Sequence, residues 1–164
     1  MPKYEITPRI SFVSELAYNR PDAMAWVTGN AANPQISGLV KFYQTSTGGV
    51  LIEAEVFGLP NVQTPDSSDF YALHIHEFGS CRDNFESAGG HYNPENVPHP
   101  DHAGDLPPLL SNQGYAWSSF YDKCFTIEDI IGKSVIIHSE TDDFKSQPAG
   151  NSGVRIACGE IKRL

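Results

Sequence analysis

All six histidines of the chain, His74, His76, His91, His99, His102 and His138, lie within one stretch, and the first 73 residues contain none. Imidazole is the commonest metal ligand among side chains, so a gathering of this kind points to metal chemistry. In Leu73-His74-Ile75-His76-Glu77-Phe78, the period of two of an extended strand puts both imidazoles on one face. Leu73 and Ile75 then turn to the other face, toward a core. An H-x-H pair alone also suits an ordinary polar strand face, and what distinguishes this one is its company. His91, His99, His102, Asp105 and His138 supply further donors. A site that selects zinc or copper through imidazole and carboxylate needs three or four of them. The run His99-Pro100-Asp101-His102-Ala103-Gly104-Asp105 sets three candidate ligands at intervals of three in an irregular, proline-stiffened segment. Such an array needs an ion to hold its shape.

The elements that must position these donors read as strands. Ala23–Gly29, Ile36–Gln44, Val50–Phe57, Tyr71–His76, Tyr115–Phe120, Ser134–Ser139 and Val154–Ile161 are rich in β-branched and aromatic residues and end in Gly, Pro, Asn or Thr-Gly-Gly clusters. About eight short strands with no long 3.6-residue period predict an all-β sandwich or barrel. Ile127–Gly132, opened by Thr126 as N-cap, predicts a single helical turn. From His91 to Leu110 the residues turn to Asn, Pro, His and Asp, which reads as one long ordered loop, and loops of that length are usually functional. Ile10-Ser-Phe-Val-Ser-Glu-Leu16 fits an extra edge strand or a short helix packed on the sandwich. Residues 1–22 are accordingly expected to be an extension packed on a domain of residues 23–164.

A chain of 164 residues with 40% apolar residues is long enough to bury one core. Its 14 glycines and 12 prolines are spread as punctuation between short elements, with no internal repeat. A formal charge of −9 argues against nucleic acid or an anionic membrane as partner, since both select clustered Lys and Arg. No stretch approaches the ~20 apolar residues of a membrane span, and the start of the chain has no apolar core of a signal peptide. A mature exported form would read the same way, so the compartment stays open. Cys81, Cys124 and Cys158 match no zinc-ribbon or CxxC spacing.

Five segments, in this order, resemble the signature segments of copper/zinc superoxide dismutases. They are Leu73-His-Ile-His-Glu-Phe-Gly-Ser-Cys81, Ser87-Ala-Gly-Gly-His-Tyr-Asn-Pro94, His102-Ala-Gly-Asp-Leu106, Val135-Ile-Ile-His138 with Asp142-Asp143, and Gly150-Asn-Ser-Gly-Val-Arg-Ile-Ala-Cys-Gly159. The resemblance implies a Greek-key β-sandwich or flattened barrel of about eight antiparallel strands with long metal-binding loops. It implies copper bound by His74, His76, His91 and His138, and zinc bound by His91, His99, His102 and Asp105, with the His91 imidazole shared between the ions. Asp142 is then the outer carboxylate that accepts hydrogen bonds from His74 and His99, fixing their tautomers. Arg155, in a Gly-Asn-x-Gly-x-Arg context, is the residue that attracts and orients the superoxide anion with an always-charged guanidinium. The implied reaction alternates copper between two oxidation states, one superoxide leaving as O₂ and a second, with two protons, as hydrogen peroxide. Cys81 and Cys158 correspond to the family's disulfide, which leaves Cys124 free and favours an oxidising compartment.

The chain departs from the family pattern in its loops. Only Pro100 and Asp101 separate His99 from His102, a short zinc loop, and the stretch from Asp143 to Arg155 is a short electrostatic loop with one base, Lys145. Ala149 stands where a threonine often lines the channel. These changes bear on rate before they bear on metal binding. The alternative to the enzyme is a noncatalytic relative of the same fold that buffers or delivers copper or keeps zinc as a staple; the full copper set together with Arg155 separates the two. Dimer surfaces differ among branches of the family, which leaves a homodimer open.

Overall fold

The computed structural model describes residues 16–61 and 68–164. Eight strands form one antiparallel sheet: β1 (Ala23–Gly29), β2 (Ser37–Gln44), β3 (Val50–Phe57), β4 (Phe70–His76), β5 (Asp105–Leu110), β6 (Tyr115–Asp122), β7 (Ser134–His138) and β8 (Arg155–Arg163). Their order in the sheet is β5-β4-β7-β8-β1-β2-β3-β6. The two edge strands β5 and β6 approach one another, so the sheet curls into a nearly closed barrel. β1 to β3 run as a meander, and the connection to β4 then crosses to the far half of the barrel, as a Greek key requires.

Alternation decides what points inward. In β1 the buried positions are Ala23, Ala25 and Val27, and in β2 they include Val40 and Phe42, with polar or half-exposed residues between them. These join Val50, Ile52, Ala54 and Val56 of β3 and Leu73, Ile75, Val135, Ile137 and Ile161 in one apolar core. β4 and β7 are buried on both faces. Inward they carry Leu73, Ile75, Val135 and Ile137; outward they carry His74, His76, Ile136 and His138, which loops cover. Ile136 and Cys158 pack outside the barrel against Phe85 and Ala88 of a 3₁₀ segment, Asp83–Ala88. The Cys81–Cys158 disulfide ties that segment to β8 across 77 positions of sequence, and Cys124 is free and exposed.

The long loop expected from His91 to Leu110 ends earlier than its composition suggests, because Asp105–Leu110 is strand β5. Pro107 and Pro108 hide its strand character, but β5 is the sheet edge, where missing amide donors are tolerated. Leu106 pairs with Leu73 and Leu109 with Tyr71, with a bulge in the register between the two pairs. The helical turn is present at Ile127–Ile130, where Asp129 accepts hydrogen bonds from both the amide and the hydroxyl of Thr126. The segment expected at residues 10–16 lies almost wholly outside the described residues; residues 16–18 are helical and Tyr18 is exposed.

Candidate metal centre

The histidines converge on the outer face of β4 because the strand's two-residue period places His74 and His76 there, and β7 brings His138 alongside. The loop after β4 returns so that His91 forms an isolated bridge with His76. His99 and His102 follow in the irregular stretch that leads into β5, whose first residue is Asp105. Two donor sets result, His74, His76, His91 and His138 and then His91, His99, His102 and Asp105, each with its ligand atoms within 4.8 Å of one another. His91 belongs to both. Its ring centroid is 4.0 Å from that of His74 and 5.5 Å from that of His102.

The hydrogen bonds identify which ring nitrogens are free for a metal. Asp142, buried behind the site, lies 2.9 Å from His74 Nε2 through Oδ2 and 2.9 Å from His99 Nε2 through Oδ1. A carboxylate only accepts, so both Nε2 atoms carry the proton and both Nδ1 atoms keep a lone pair. Those Nδ1 atoms are buried without a hydrogen-bond partner. His99 Nδ1 nevertheless lies 2.9 Å from Asp105 Oδ2, two acceptors facing each other in a dry site. A cation reconciles that contact, and the donor set suits zinc. In the other set, His76 Nδ1 donates to the Gly89 carbonyl at 3.0 Å, which leaves Nε2 as its lone pair, 3.3 Å from His138 Nε2. His91 reaches Asp105 Oδ1 through Nδ1 at 2.6 Å, while its Nε2 is buried and unpartnered. Buried, unsatisfied imidazole nitrogens are costly unless something binds them.

The electrostatics disfavour the charged form of His74, His76 and His138. Burial pushes His76 down to about 2 and His138 down to about 3, with neighbouring imidazoles and Arg155 adding to the effect. His74 is lowered as well, chiefly by burial. For Asp142 burial acts upward, but hydrogen bonds from His74, the Phe144 amide and His99 outweigh it and hold the carboxyl at about 2. Asp105 is likewise held below the usual carboxylate range despite burial, by its hydrogen bond with His91 and the neighbouring imidazoles.

A cleft opens onto the first donor set, lined by His76, Gly90, His91, His138, Pro148, Ala149, Gly153 and Arg155. Arg155 is fixed within it. Nη1 donates to the Phe85 carbonyl at 2.6 Å and Nη2 to the Gly89 carbonyl at 2.7 Å. Those carbonyls sit on the segment tied to β8 by the disulfide. The peptide turns sharply there, with Asp83, Asn84 and Phe85 all at positive φ.

The structure brings His74, His76, His91, His99, His102, Asp105 and His138 together, with Asp142 and Arg155 against them, and sets the Cys81–Cys158 disulfide apart. The sequence assigns no role to three further contributors, although Gly150 opens the Gly-Asn-x-Gly-x-Arg run. The Gln147 amide brackets the backbone of His99, donating to its carbonyl at 2.6 Å and accepting from its amide at 3.0 Å. Gly150, at φ +65°, passes so close that a Cβ there would lie 2.0 Å from Asp142 Oδ1 and 2.8 Å from His99 Nε2. Glu86 stands beside Arg155, with Oε2 3.9 Å from Nη1.

Comparison with known proteins agrees with this construction. The family model described as "Copper/zinc superoxide dismutase (SODC)" matches residues 36–161. An extracellular superoxide dismutase [Cu-Zn] of Rattus norvegicus is 36% identical over 134 residues, covering 76% of this chain and 54% of that protein. A copper chaperone for superoxide dismutase of Sus scrofa is 33% identical over 141 residues, covering 78% of this chain and 49% of that protein. The chain thus spans about half the length of these curated relatives. Among solved structures, the clock protein EA4 superposes with a TM-score of 0.72 at 29% identity, covering 90% of this chain and 98% of that one. With the family model covering well over half its length, the chain belongs to the copper/zinc superoxide dismutase family.

Proposed function

We propose that the chain dismutes superoxide, with copper held by His74, His76, His91 and His138 and zinc by His91, His99, His102 and Asp105. The observation that carries this reading is the pair of donor sets sharing His91, with Arg155 fixed in the lining of the cleft that opens onto the first. Copper supplies one-electron redox chemistry when bound, and zinc has none to offer. Arg155 attracts the anion and orients it, since two of its N–H groups are spent on carbonyls and the others remain for a ligand. His91 Nε2, buried and without a hydrogen-bond partner, is the atom suited to taking up and passing on a proton. Asp142 holds His74 and His99 in the tautomer that leaves Nδ1 free.

The test is direct superoxide decay by stopped flow on protein loaded with both metals, beside Arg155→Ala and His138→Ala. Fast decay that falls at least tenfold with Arg155→Ala and disappears with His138→Ala supports the enzyme. The similarity to a copper chaperone favours a second reading, a noncatalytic metal carrier. That reading requires bound copper with no decay above free-metal controls, and ready transfer of copper to a competing acceptor.

A further inference from the structure

We propose that Glu86 tempers the attraction of Arg155 for anions, and so sets how readily this cleft admits and holds a small anion. The inference rests on the reading of the cleft as an anion's route to the copper ligands, and its test separates the two.

Among the described residues lining the cleft, Arg155 is the one charged side chain apart from the histidines. The local field that draws an anion inward therefore depends on this guanidinium. Its side chain is 17% exposed and held by the Phe85 and Gly89 carbonyls, so it cannot turn away from what stands beside it. Glu86 follows Phe85 in the same segment and brings a carboxylate oxygen to 3.9 Å from Nη1. That carboxylate is 73% exposed, while the guanidinium beside it is mostly buried and lines the cleft. Opposite charges at such a separation cancel much of each other's potential at the distances from which a small anion is steered. The 3₁₀ segment fixes the placement: Gly89 N–H bonds to the Glu86 carbonyl, and Phe85 and Ala88 are buried on either side. The short loop before Arg155 offers a single lysine, Lys145, in compensation.

The experiment compares the copper- and zinc-loaded protein with Glu86→Gln, Glu86→Lys and Glu128→Gln, the last an exposed carboxylate paired with Arg163 away from the cleft. Azide affinity is read from the visible absorption of the copper-loaded protein, and superoxide decay is followed by stopped flow, both across a range of ionic strength. Glu86→Gln is expected to tighten azide binding and quicken decay by roughly two- to fivefold at low salt. Glu86→Lys should go further, both gains should shrink as salt screens the charges, and Glu128→Gln should match the parent. Azide affinity in both Glu86 variants within error of Glu128→Gln overturns the proposal. Because azide binding is read independently of turnover, a shift in affinity without superoxide decay in any protein upholds the role of Glu86 and rejects the dismutase reading.

Discussion

The side-chain amide of Gln147 holds both backbone polar groups of His99, accepting from the amide at 3.0 Å and donating to the carbonyl at 2.6 Å. This pair joins the short loop before β8 to the loop that carries the second donor set. It also fixes the backbone from which the His99 imidazole is presented to Asp105. Gln147→Ala is expected to weaken zinc binding by roughly tenfold or more, measured by chelator competition, since groups that orient a ligand contribute on that scale. Gln147→Glu keeps the acceptor but loses the donor and should fall between. Copper binding, for which His99 is not among the proposed ligands, should change less than zinc.

Asp142 acts on both donor sets at once. Its two oxygens receive His74 Nε2 and His99 Nε2 at 2.9 Å each. Asp142→Asn offers one acceptor and one donor in place of two acceptors, so one of the two rings loses its orientation. Competition titrations should show weaker binding of both metals, by roughly 10- to 100-fold for the ring that loses its partner. His138→Ala provides the contrast, removing a donor from the first set alone. Unaltered affinity for both ions in Asp142→Asn would rule out this bridging role.

What was legible in the sequence and what was not follows the reach of each interaction. His74 and His76 could be placed on one face because a strand's period is local, and the outward face proved to be the one that carries them. His99, His102 and Asp105 were legible because three donors lie within one short irregular run. Strand β5 was not, because Pro107 and Pro108 mimic a loop unless the strand is known to be an edge, which is a property of the whole sheet. The clamp on His99 spans 48 positions and the contact of Arg155 with Glu86 spans 69, so neither leaves a local pattern. The resemblance of five segments covered most of the candidate ligands but could not reveal the partners introduced by this chain's own loops.

The buried imidazoles make the stability of the metal-free protein depend on pH. His76 and His138 are pushed down to about 2 and about 3 in the fold, against about 6.5 in the unfolded chain. Above pH 6.5 both states are neutral at these rings and their titration contributes nothing. Below it the unfolded chain binds protons that the folded one refuses, so stability falls as pH falls, at up to about 1.4 kcal/mol per pH unit for each ring. Urea midpoints of the metal-free protein should therefore drop steadily between pH 7 and pH 5. Asp142, held at about 2, adds its own loss only below the ordinary carboxylate range. The metal-loaded protein should keep its midpoint to lower pH, because bound ions exclude the competing protons. A flat midpoint for the metal-free chain over this range would mean that its histidines are solvated.

The Cys81–Cys158 bridge links stability to the positioning of Arg155 in the cleft. It closes a separation of 77 positions, for which the chain-entropy model gives about 4 kcal/mol of stabilisation. It also tethers the segment whose Phe85 and Gly89 carbonyls hold Arg155. The double substitution Cys81→Ser/Cys158→Ser should therefore have two separable effects. Denaturant unfolding should show a loss of stability of a few kcal/mol, by analogy with native disulfides in small domains. At temperatures where the variant remains folded, Arg155 should be held less firmly, so azide should bind the copper-loaded protein more weakly than it binds the parent. The proposed donors His74, His76 and His138 are carried by β4 and β7, and of these three rings His76 bonds to the tethered segment, through the Gly89 carbonyl, so copper content should fall less than azide affinity. Lower stability with unchanged azide affinity would confine the disulfide to the fold and separate it from the positioning of Arg155.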